Sequence, residues 1–241
     1  MTSASLQACI WGRMSLKLYD LALRDPEIRP SPYCWIVKFA LLHKGLEFET
    51  IPVGFSNKDA YPDPEYGKVP VLVDGEEMVR DSSVITAWLD KTYPGNPLLA
   101  TSGEAASAEF YKAWLAAAFF PAAAPMFSAR LHALAADEDK AYFRHTREAR
   151  FGKTLEELAA QSGQREKVEA ALQPLAAPLS RCRFLGGEAP NLCDYIVMGA
   201  LMWTRMASAE DIFEAPQPVG AWTERMLDLF DGYARKAKRP S

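Results

Sequence analysis

The sequence predicts an α/β domain with a mixed sheet, followed by an all-α domain. Two observations support this division. Strand and helix patterns alternate in the order βαβ and then ββα over residues 15–95, whereas residues 104–238 contain almost only helical patterns. The segment between them, 94–103, is rich in Pro, Gly, Asn and Ser and is typical of a linker. A βαβ unit joined to a ββα unit indicates one mixed sheet with helices packed on it.

Local patterns predict the elements of the first domain. Residues 16–21 alternate apolar and polar side chains, as a strand with one buried face does. Trp35, Phe39 and Leu42 recur at helical spacing and predict a helix over 32–43. A second strand is expected at 48–53. A hairpin of strands 69–73 and 77–80 around Asp74-Gly75 follows, and then a helix over 83–93.

The second domain is predicted as a series of helices. One start is marked clearly, because Asn191 is a good N-cap residue and Asp194 stands three positions later, before an apolar run. The approximate helical stretches are 104–120, 137–162, 164–181, 191–206 and 218–236.

Composition excludes several functional classes. The net charge of −4 argues against nucleic acid as the main partner. The longest apolar run, 114–127, contains two prolines and is shorter than the ~20 residues that a membrane span requires. The four cysteines and three histidines lack metal-ligand spacing, so we expect no metal. Residues 1–13 lack the basic region of a secretory signal, and a cytoplasmic location is the expectation.

Three short motifs in the first domain suggest a binding site for a small peptide ligand. Ser31 precedes Pro32, and proline suits the first turn of a helix. Pro70 at a strand start cannot donate to the sheet, which leaves the backbone of Val69 free to face a ligand. Asp81 and Ser82 open a helix whose unpaired N–H groups favour a carboxylate.

These motifs resemble those of cytosolic glutathione transferases, which join a thioredoxin-like domain to a helical domain. A narrower likeness, to the bacterial β-aryl-etherase branch and its fungal relatives, lies in Leu18-Tyr19-Asp20-Leu21, Ser31-Pro32-Tyr33, His43-Lys44-Gly45 and Val79-Arg80-Asp81-Ser82. Those enzymes use glutathione to cleave ether bonds in lignin-derived aromatics. The resemblance therefore implies transfer of glutathione, as co-substrate, to a hydrophobic and aromatic electrophile. Ether cleavage is one form of this reaction.

The resemblance also implies roles for individual residues. Ser31 matches the catalytic serine of the serine-type classes. Val69 and Pro70 match a cis Val-Pro corner whose backbone pairs with the cysteinyl unit of glutathione. Asp81 and Ser82 match the pair that holds the γ-glutamyl end. Lys68, where many transferases carry Gln or Asn, would meet a glutathione carboxylate. The family further implies a homodimer.

Residues for the second substrate are expected from Tyr33 and from the first long helix of the second domain. On that helix, Tyr111, Trp114 and Phe119 are candidates, although aromatic residues at this spacing also form cores. Arg144, Arg147 and Arg150 share one helical face. Such a face is normally solvated and paired, here with Glu148 or Glu156, and the alternative is a site for an acidic substrate.

Two other functions remain open from the sequence. Cys34 stands three residues after Ser31, where a disulfide reductase carries its second cysteine, so a glutathione-dependent thiol-disulfide oxidoreductase is one alternative. Position 31 is not a cysteine, although thiol exchange needs a thiolate at the helix start, and Cys34 also suits a buried apolar position. A non-catalytic glutathione-binding module is the other alternative.

Overall fold

A computed structural model describes residues 15–241 of the chain. The expectation for residues 1–13 lies outside this range. Four strands form one sheet in the order β2-β1-β3-β4, in which β1 and β2 are parallel and the other two pairs are antiparallel. The predicted mixed sheet is therefore confirmed. Its strands are β1 (Leu16–Leu21), β2 (Phe48–Val53), β3 (Val71–Asp74) and β4 (Glu77–Arg80).

Two helices belong to the sheet region, and eight follow it within the described part of the chain. Among residues 15–241, no helix is both long and apolar enough to cross a lipid bilayer. The predicted α/β thioredoxin-like domain followed by an all-α domain is confirmed. The helices are α1 (Pro32–His43), α2 (Ser82–Thr92), α3 (Ser102–Trp114), α4 (Phe120–Leu134), α5 (Asp137–Phe151), α6 (Leu155–Ala159), α7 (Gln164–Leu172), α8 (Ala176–Leu179), α9 (Leu192–Arg205) and α10 (Val219–Gly232).

Prolines set two features of the sheet. Strand β3 begins at Val71 instead of the predicted residue 69, and the Val69-Pro70 peptide bond is cis. The pyrrolidine nitrogen of Pro70 has no hydrogen to donate to the sheet. Pro52 lies inside β2, which is an edge strand, and an edge strand tolerates the missing donor.

The first long helix of the second region differs from the prediction at residues 115–119. These residues form a π-helical turn between α3 and α4, so the helical path runs from Ser102 to Leu134 instead of ending near residue 120. Pro121 lacks an N–H group, and its ring would clash with the carbonyl of residue 117 in a regular α-helix. A π turn contains one extra residue and turns the side chains that follow by ~100°.

The predicted helix over 137–162 is two helices. Helix α5 ends at Phe151, and its C-cap Gly152 has the left-handed φ of 64° that glycine adopts without steric cost. Thr154 then begins α6, and its side chain and that of Glu157 form a reciprocal capping box. The stretch predicted over 164–181 is likewise divided into α7, a 3-10 turn over 173–175, and α8.

A buried carboxylate secures the start of α9. Asn191 is the N-cap and forms the predicted capping box with Asp194. Asp194 accepts hydrogen bonds from the backbone N–H groups of Leu185, Gly186 and Asn191 and from Nε1 of Trp222. Burial raises the pKa of Asp194, and these donors oppose that rise. The carboxylate of Asp194 thereby connects the loop before α9 and helix α10 to the start of α9.

Helices α1 and α9 approach each other unusually closely at Gly199. A methyl group built on Gly199 would lie 2.6 Å from the carbonyl oxygen of Pro32 and 2.9 Å from Cγ1 of Ile36. Only glycine allows this approach without a shift of backbone. Pro32 is the first residue of α1, so the contact fixes the amino end of α1 against the helical region.

We expect Gly199→Ala to lower the free energy of unfolding by about 1–3 kcal/mol, because the added methyl group overpacks a contact with backbone. This loss opposes the ~1 kcal/mol that alanine normally gains over glycine in a helix. Urea denaturation measures the change. Gly103→Ala is the matched control, since its methyl group would meet nothing nearer than 3.9 Å and should leave stability equal or higher. Equal stability for Gly199→Ala and the wild type would contradict the close-packing argument.

Candidate active site

Ser31 lies at the amino end of α1 and caps it. Its Oγ accepts a hydrogen bond from the backbone N–H of Cys34 at 3.2 Å, and Pro32 occupies the first helical position. The side chain is largely buried but contributes to a cleft. Among the described residues, the one acceptor for the Ser31 hydroxyl is the Cys34 sulfur, a weak acceptor, and none pairs with the backbone N–H of Tyr33. Two donors at this helix start are therefore available to a ligand.

The Val69-Pro70 corner contributes Val69 to the same cleft. Val69 precedes β3, and within residues 15–241 its N–H and C=O form no hydrogen bond. Lys68 is exposed beside it, with Nζ 6.0 Å from the centroid of the Tyr66 ring. An extended ligand at this corner would therefore find an unpaired backbone edge and a cation.

Asp81 and Ser82 begin α2 next to this corner, because residue 80 pairs with residue 71 across the hairpin. Asp81 has a φ of 71°, which costs roughly 1–3 kcal/mol for a residue other than glycine. Its Oδ1 accepts hydrogen bonds from the N–H groups of Ser83 at 2.8 Å and Val84 at 3.4 Å. Neither Asp81 nor Ser82 contributes to the wall of the cleft beside Ser31.

The cleft at Ser31, called here the inner cleft, has a volume of about 240 Å³. Residues of the sheet region form one wall, and residues of α4, α5 and α9 form the other. The lining residues are Leu21, Pro30, Ser31, Pro32, Tyr33, Phe55, Lys58, Tyr61, Gly67, Lys68, Val69, Leu131, Tyr142, Phe143, Arg147 and Trp203.

A second space, called here the adjoining pocket, continues from the inner cleft toward the helical region. Its volume is about 150 Å³, and it shares Pro32, Tyr33, Leu131, Phe143, Arg147 and Trp203 with the inner cleft. Its further lining residues are Phe120, Ala124, Ser128, Arg150 and Phe151. This wall is mainly aromatic and aliphatic.

The loop after β2 is held to α5 by a buried carboxylate. Asp139 accepts hydrogen bonds from the backbone N–H of Phe55 at 2.9 Å and of Ser56 at 2.7 Å, and from the Ser56 hydroxyl. Gly54 must remain small, since a methyl group there would lie 2.7 Å from Oδ2 of Asp139. This attachment holds Phe55 and the following residues of the inner cleft beside α5.

Lys58 and Tyr61 extend from that loop into the inner cleft. The hydroxyl of Tyr61 donates to the carbonyl of Gly54 at 2.7 Å, which fixes the ring. The Nζ of Lys58 lies 4.5 Å from the Tyr61 centroid and 5.1 Å from the Tyr142 centroid. Burial lowers the pKa of Lys58, and Asp139 partly opposes this effect.

The three arginines on one face of α5 have different surroundings. Arg144 pairs with Glu148 and Glu156, as the ordinary interpretation of the pattern predicted. Arg147 instead stacks on Phe143, with Cζ 4.4 Å from the ring centroid, and lines both spaces. Arg150 lines the adjoining pocket. The pattern thus divides into one paired arginine and two that face the cleft.

Three of the four residues expected to contact the second substrate lie elsewhere in the structure. Tyr33 lines both spaces, but Tyr111, Trp114 and Phe119 line neither. Tyr111 is buried in the helical core, and burial raises its pKa to about 12. Trp114 packs on Phe119, which is fully buried. The π turn explains the difference, because the residue that reaches the adjoining pocket is the next one, Phe120.

Cys34 does not face the cleft. Its side chain is fully buried, and its Sγ lies 3.9 Å from the carbonyl oxygen of Tyr19. Burial, with a smaller contribution from Asp20, raises the pKa of the Cys34 thiol well above its usual value. Such a thiol is a poor source of thiolate, so the geometry does not favour the disulfide-exchange alternative.

A larger space of about 460 Å³ lies behind α9, against α10. Of its charged lining residues, Arg205 and Asp211 pair with each other. It contains neither Ser31 nor Val69. The site that joins helix donors, a free backbone edge and an aromatic wall is therefore the inner cleft with its adjoining pocket.

Sequence reasoning missed several lining residues, namely Phe55, Lys58, Tyr61, Phe120, Tyr142, Phe143 and Trp203. Most come from a loop and from helices far apart in sequence, so no local pattern links them. One signal was available for Phe120, because Pro121 directly after it predicts a disturbed helix.

Family models match most of the chain. The model described as glutathione S-transferase, N-terminal domain, matches residues 26–97, and the corresponding C-terminal domain model matches residues 106–233. This chain belongs to the glutathione S-transferase family. The match covers all lining residues of the inner cleft except Leu21. The division at 15–95 and 104–238 stays a prediction.

Similar glutathione S-transferases occur in plants. A zeta-class glutathione S-transferase of Euphorbia esula is 39% identical over 94 residues, which are 36% of this chain and 38% of that protein. Glutathione S-transferase Z1 of Arabidopsis thaliana is 42% identical, over 26% of this chain and 31% of that protein. These matches thus span well under half of each relative. A glutathione S-transferase of Hyoscyamus muticus is 25% identical over 89% of this chain and 94% of its own length.

Solved fungal structures share the fold. A glutathione transferase of Phanerochaete chrysosporium superposes with a TM-score of 0.73 at 24% identity, covering 92% of this chain and 93% of that one. A glutathione S-transferase of Ceriporiopsis subvermispora, solved in complex with glutathione, gives 0.72 at 23% identity, covering 93% and 95%.

We expect Asp139→Asn to lower the free energy of unfolding by about 1.5–3 kcal/mol. The NH2 group of asparagine would face the N–H groups of Phe55 and Ser56, and the charge-assisted hydrogen bonds of the carboxylate would be lost. Hydrogen exchange at Phe55 and Ser56 should accelerate more than elsewhere. Asp137→Asn in the same helical turn is the control, since the Asp137 side chain is 79% exposed and its ion pairs are worth about 0–1 kcal/mol. If both variants lose the same stability, Asp139 does not hold the loop.

Proposed function

We propose that this chain catalyses the transfer of glutathione to an aromatic electrophile. Ser31 and the free N–H of Tyr33 would face the sulfur, and the unpaired backbone of Val69 at the cis Pro70 corner would pair with the cysteinyl unit. Asp81 and Ser82 would hold the γ-glutamyl end. The observation that carries the proposal is the meeting of the α1 start and this backbone edge in one cleft. The glutathione bound in the similar fungal structure supports it.

Two cations of the inner cleft suit the remaining carboxylate of glutathione. Lys68 is next to Val69. Lys58 lies on the loop after β2, and its Nζ is 4.5 Å from the centroid of the Tyr61 ring. A carboxylate bound between them would form charge-assisted hydrogen bonds, which are stronger than neutral ones. The sequence predicts Lys68 in this role, and we propose Lys58 as a second cation for the same carboxylate.

The chemistry requires a thiolate at neutral pH. A shift of the thiol pKa from ~8.5 to ~6.5 corresponds to about 2.7 kcal/mol of preferential thiolate stabilisation. A hydroxyl that donates to a charged acceptor supplies about 1.5–3 kcal/mol. The amino end of a helix adds ~0.3–1 kcal/mol, or up to ~2 in a sheltered position. The Ser31 hydroxyl and the start of α1 together suffice, so no general base is needed.

The transfer itself is a substitution at carbon. The thiol gives its proton to water, and the thiolate lone pair forms the new carbon–sulfur bond. The bond from that carbon to the leaving group breaks, and its electron pair departs with the leaving group. A halide and a phenolate both suit this scheme. The phenolate case is the ether cleavage that the etherase-like motifs predict.

The second substrate would occupy the adjoining pocket. Its wall offers Tyr33, Phe120, Phe143 and Trp203 for contact with an aromatic ring. Tyr111, Trp114 and Phe119 have no part in this proposal. A cavity of about 150 Å³ is large enough to bind benzene, and the adjoining pocket has this volume, so it suits one ring.

We expect Ser31→Ala to lower kcat by about 10- to 100-fold, since it removes one hydrogen bond to the thiolate. The pKa of the bound glutathione thiol should rise by about 1–2 units, so the activity profile moves to higher pH. Absorbance of the thiolate in the binary complex and the pH dependence of kcat measure both effects. Glutathione affinity should remain within a few-fold.

Two further variants sharpen this test. Ser31→Thr keeps the hydroxyl and also caps the helix, so it should retain the low thiol pKa and serves as the conservative rescue of Ser31→Ala. Tyr33→Phe removes the competing phenol and should leave the thiol pKa unchanged. An unaltered profile for Ser31→Ala would exclude Ser31 as the activating donor. No transfer by the wild type to aryl halides and aryl ethers, with glutathione bound, would support the non-catalytic alternative.

The family resemblance implies a homodimer, and the surface offers positions at which this proposal can be tested. Large exposed hydrophobic side chains among the described residues are Tyr33, Tyr142, Val84 and Phe110. The first two line the inner cleft, whereas Val84 and Phe110 lie on α2 and α3, away from it. Contiguous apolar patches mark interfaces, whereas single exposed apolar side chains are common, so Phe110 serves here as a test position for the dimer that the family resemblance implies.

We expect Phe110→Glu to shift the protein from dimer to monomer, because a buried unpaired carboxylate disfavours an apolar interface. Sedimentation velocity measures the change. Glu109→Gln, at the neighbouring exposed position, is the control and should leave the dimer intact. A wild type that sediments as a monomer would contradict the dimer.

A further inference from the structure

The walls of the inner cleft and the adjoining pocket carry charges of one sign only. Lys58, Lys68, Arg147 and Arg150 contribute to them, and among residues 15–241 no aspartate or glutamate does. Residues 1–14 contain no acidic residue either. The chain as a whole has a net charge of −4. The positive charge of the cleft is therefore a local feature.

Arg147 has no acidic partner within residues 15–241. Its guanidinium donates only to the hydroxyl of Thr146, at 2.9 Å, among the described residues. Burial lowers the pKa of Arg147, and the neighbouring Arg150 lowers it further. Arginine nonetheless stays protonated at neutral pH. A partly buried cation without an acidic partner is costly, and a bound anion offsets this cost.

The orientation of Arg147 is fixed by aromatic rings. Its Cζ lies 4.4 Å from the Phe143 centroid and 5.7 Å from the Phe55 centroid. Phe143 is almost fully buried, and Asp139 holds the backbone of Phe55, so neither ring moves freely. A guanidinium held against two rings in this way has paired N–H groups that match a carboxylate.

Arg150 extends this positive edge along the adjoining pocket. It is one helical turn beyond Arg147 on α5, and within residues 15–241 it forms no ion pair. The nearest basic residue on the other side, Arg144, is fully engaged with Glu148 and Glu156. Glu148 of α5 thus pairs with Arg144, outside the pocket, and not with Arg150.

Resting on the proposed glutathione transfer, we propose that the second substrate is an anionic aromatic compound whose carboxylate is held by Arg147 and Arg150. Its ring would lie in the adjoining pocket against Phe120, Phe143 and Trp203. Lys58 and Lys68, on the sheet side of the inner cleft, would remain with glutathione. The two arginines would then determine specificity without touching the sulfur.

A matched pair of electrophiles tests this assignment. The acid is chlorodinitrobenzoate with chlorine para to the carboxylate, and the neutral analogue is the corresponding carboxamide. Each enzymatic kcat/KM is divided by the uncatalysed rate constant with glutathione, which removes their difference in intrinsic reactivity. We expect the wild type to prefer the acid, and the preference to weaken as salt is added.

We expect Arg147→Gln to lower kcat/KM for the acid by about 10- to 100-fold, the range of a lost hydrogen bond to a charged group. The value for the carboxamide should stay within about threefold, the size of a minor packing change. Arg150→Gln should cause a smaller selective loss, because this side chain is more exposed. Arg144→Gln, on the same face but outside the pocket, should leave the acid preference intact.

Several results would overturn the inference while leaving the proposed function standing. One is a wild type that transfers glutathione to both compounds without preference. A second is an equal loss for both in Arg147→Gln. A third is a raised KM for glutathione with an unchanged ratio of the two electrophiles, which would assign Arg147 to the glutathione site.

Failure of the proposed function has a different result, namely no transfer to either compound by the wild type. Calorimetric binding of the two glutathione conjugates then tests the arginines without chemistry. Tighter binding of the carboxylate conjugate, lost in Arg147→Gln, would support the anion site. Equal binding of the two conjugates would contradict it.

Discussion

The close approach of α9 to α1 at Gly199 is the constraint on which the rest of the site depends. The first carbonyl of α1 rests against this glycine, so the amino end of α1 has a fixed position relative to the helical region. Ser31 is the next residue toward the amino terminus, and α9 also carries Trp203. Helix α9 thus fixes the position of Ser31 and also supplies part of the aromatic wall.

Two buried carboxylates support this arrangement from separate sides. Asp194 gathers backbone donors and Trp222 at the start of α9, and Asp139 binds the loop after β2 to α5. Each accepts several hydrogen bonds, which compensates for the burial of its charge. Neither lines the cleft, although the charge of Asp139 still acts on Lys58, whose pKa it raises against the effect of burial.

The fold was largely predictable because its signals are local. Alternation gave β1, the Asp74-Gly75 turn gave the hairpin, and Asn191 with Asp194 gave the start of α9. The motifs proposed to bind glutathione are equally local. The wall of the adjoining pocket was not, since it depends on helix phase after the π turn, which exchanges Phe119 for Phe120. The partition of the arginines on α5 required knowing where Glu156 lies in space.

The pairing of Gly54 with Asp139 limits how such a site can diversify. A larger residue at 54 would collide with the carboxylate, whereas a shorter acceptor at 139 would release the loop, so neither position tolerates change without the other. Phe120 and Trp203 are not constrained in this way by the loop after β2. Single substitutions at Phe120 or Trp203 can therefore change the aromatic preference of the pocket. Changes to the sheet-side wall require coordinated substitutions at more than one position.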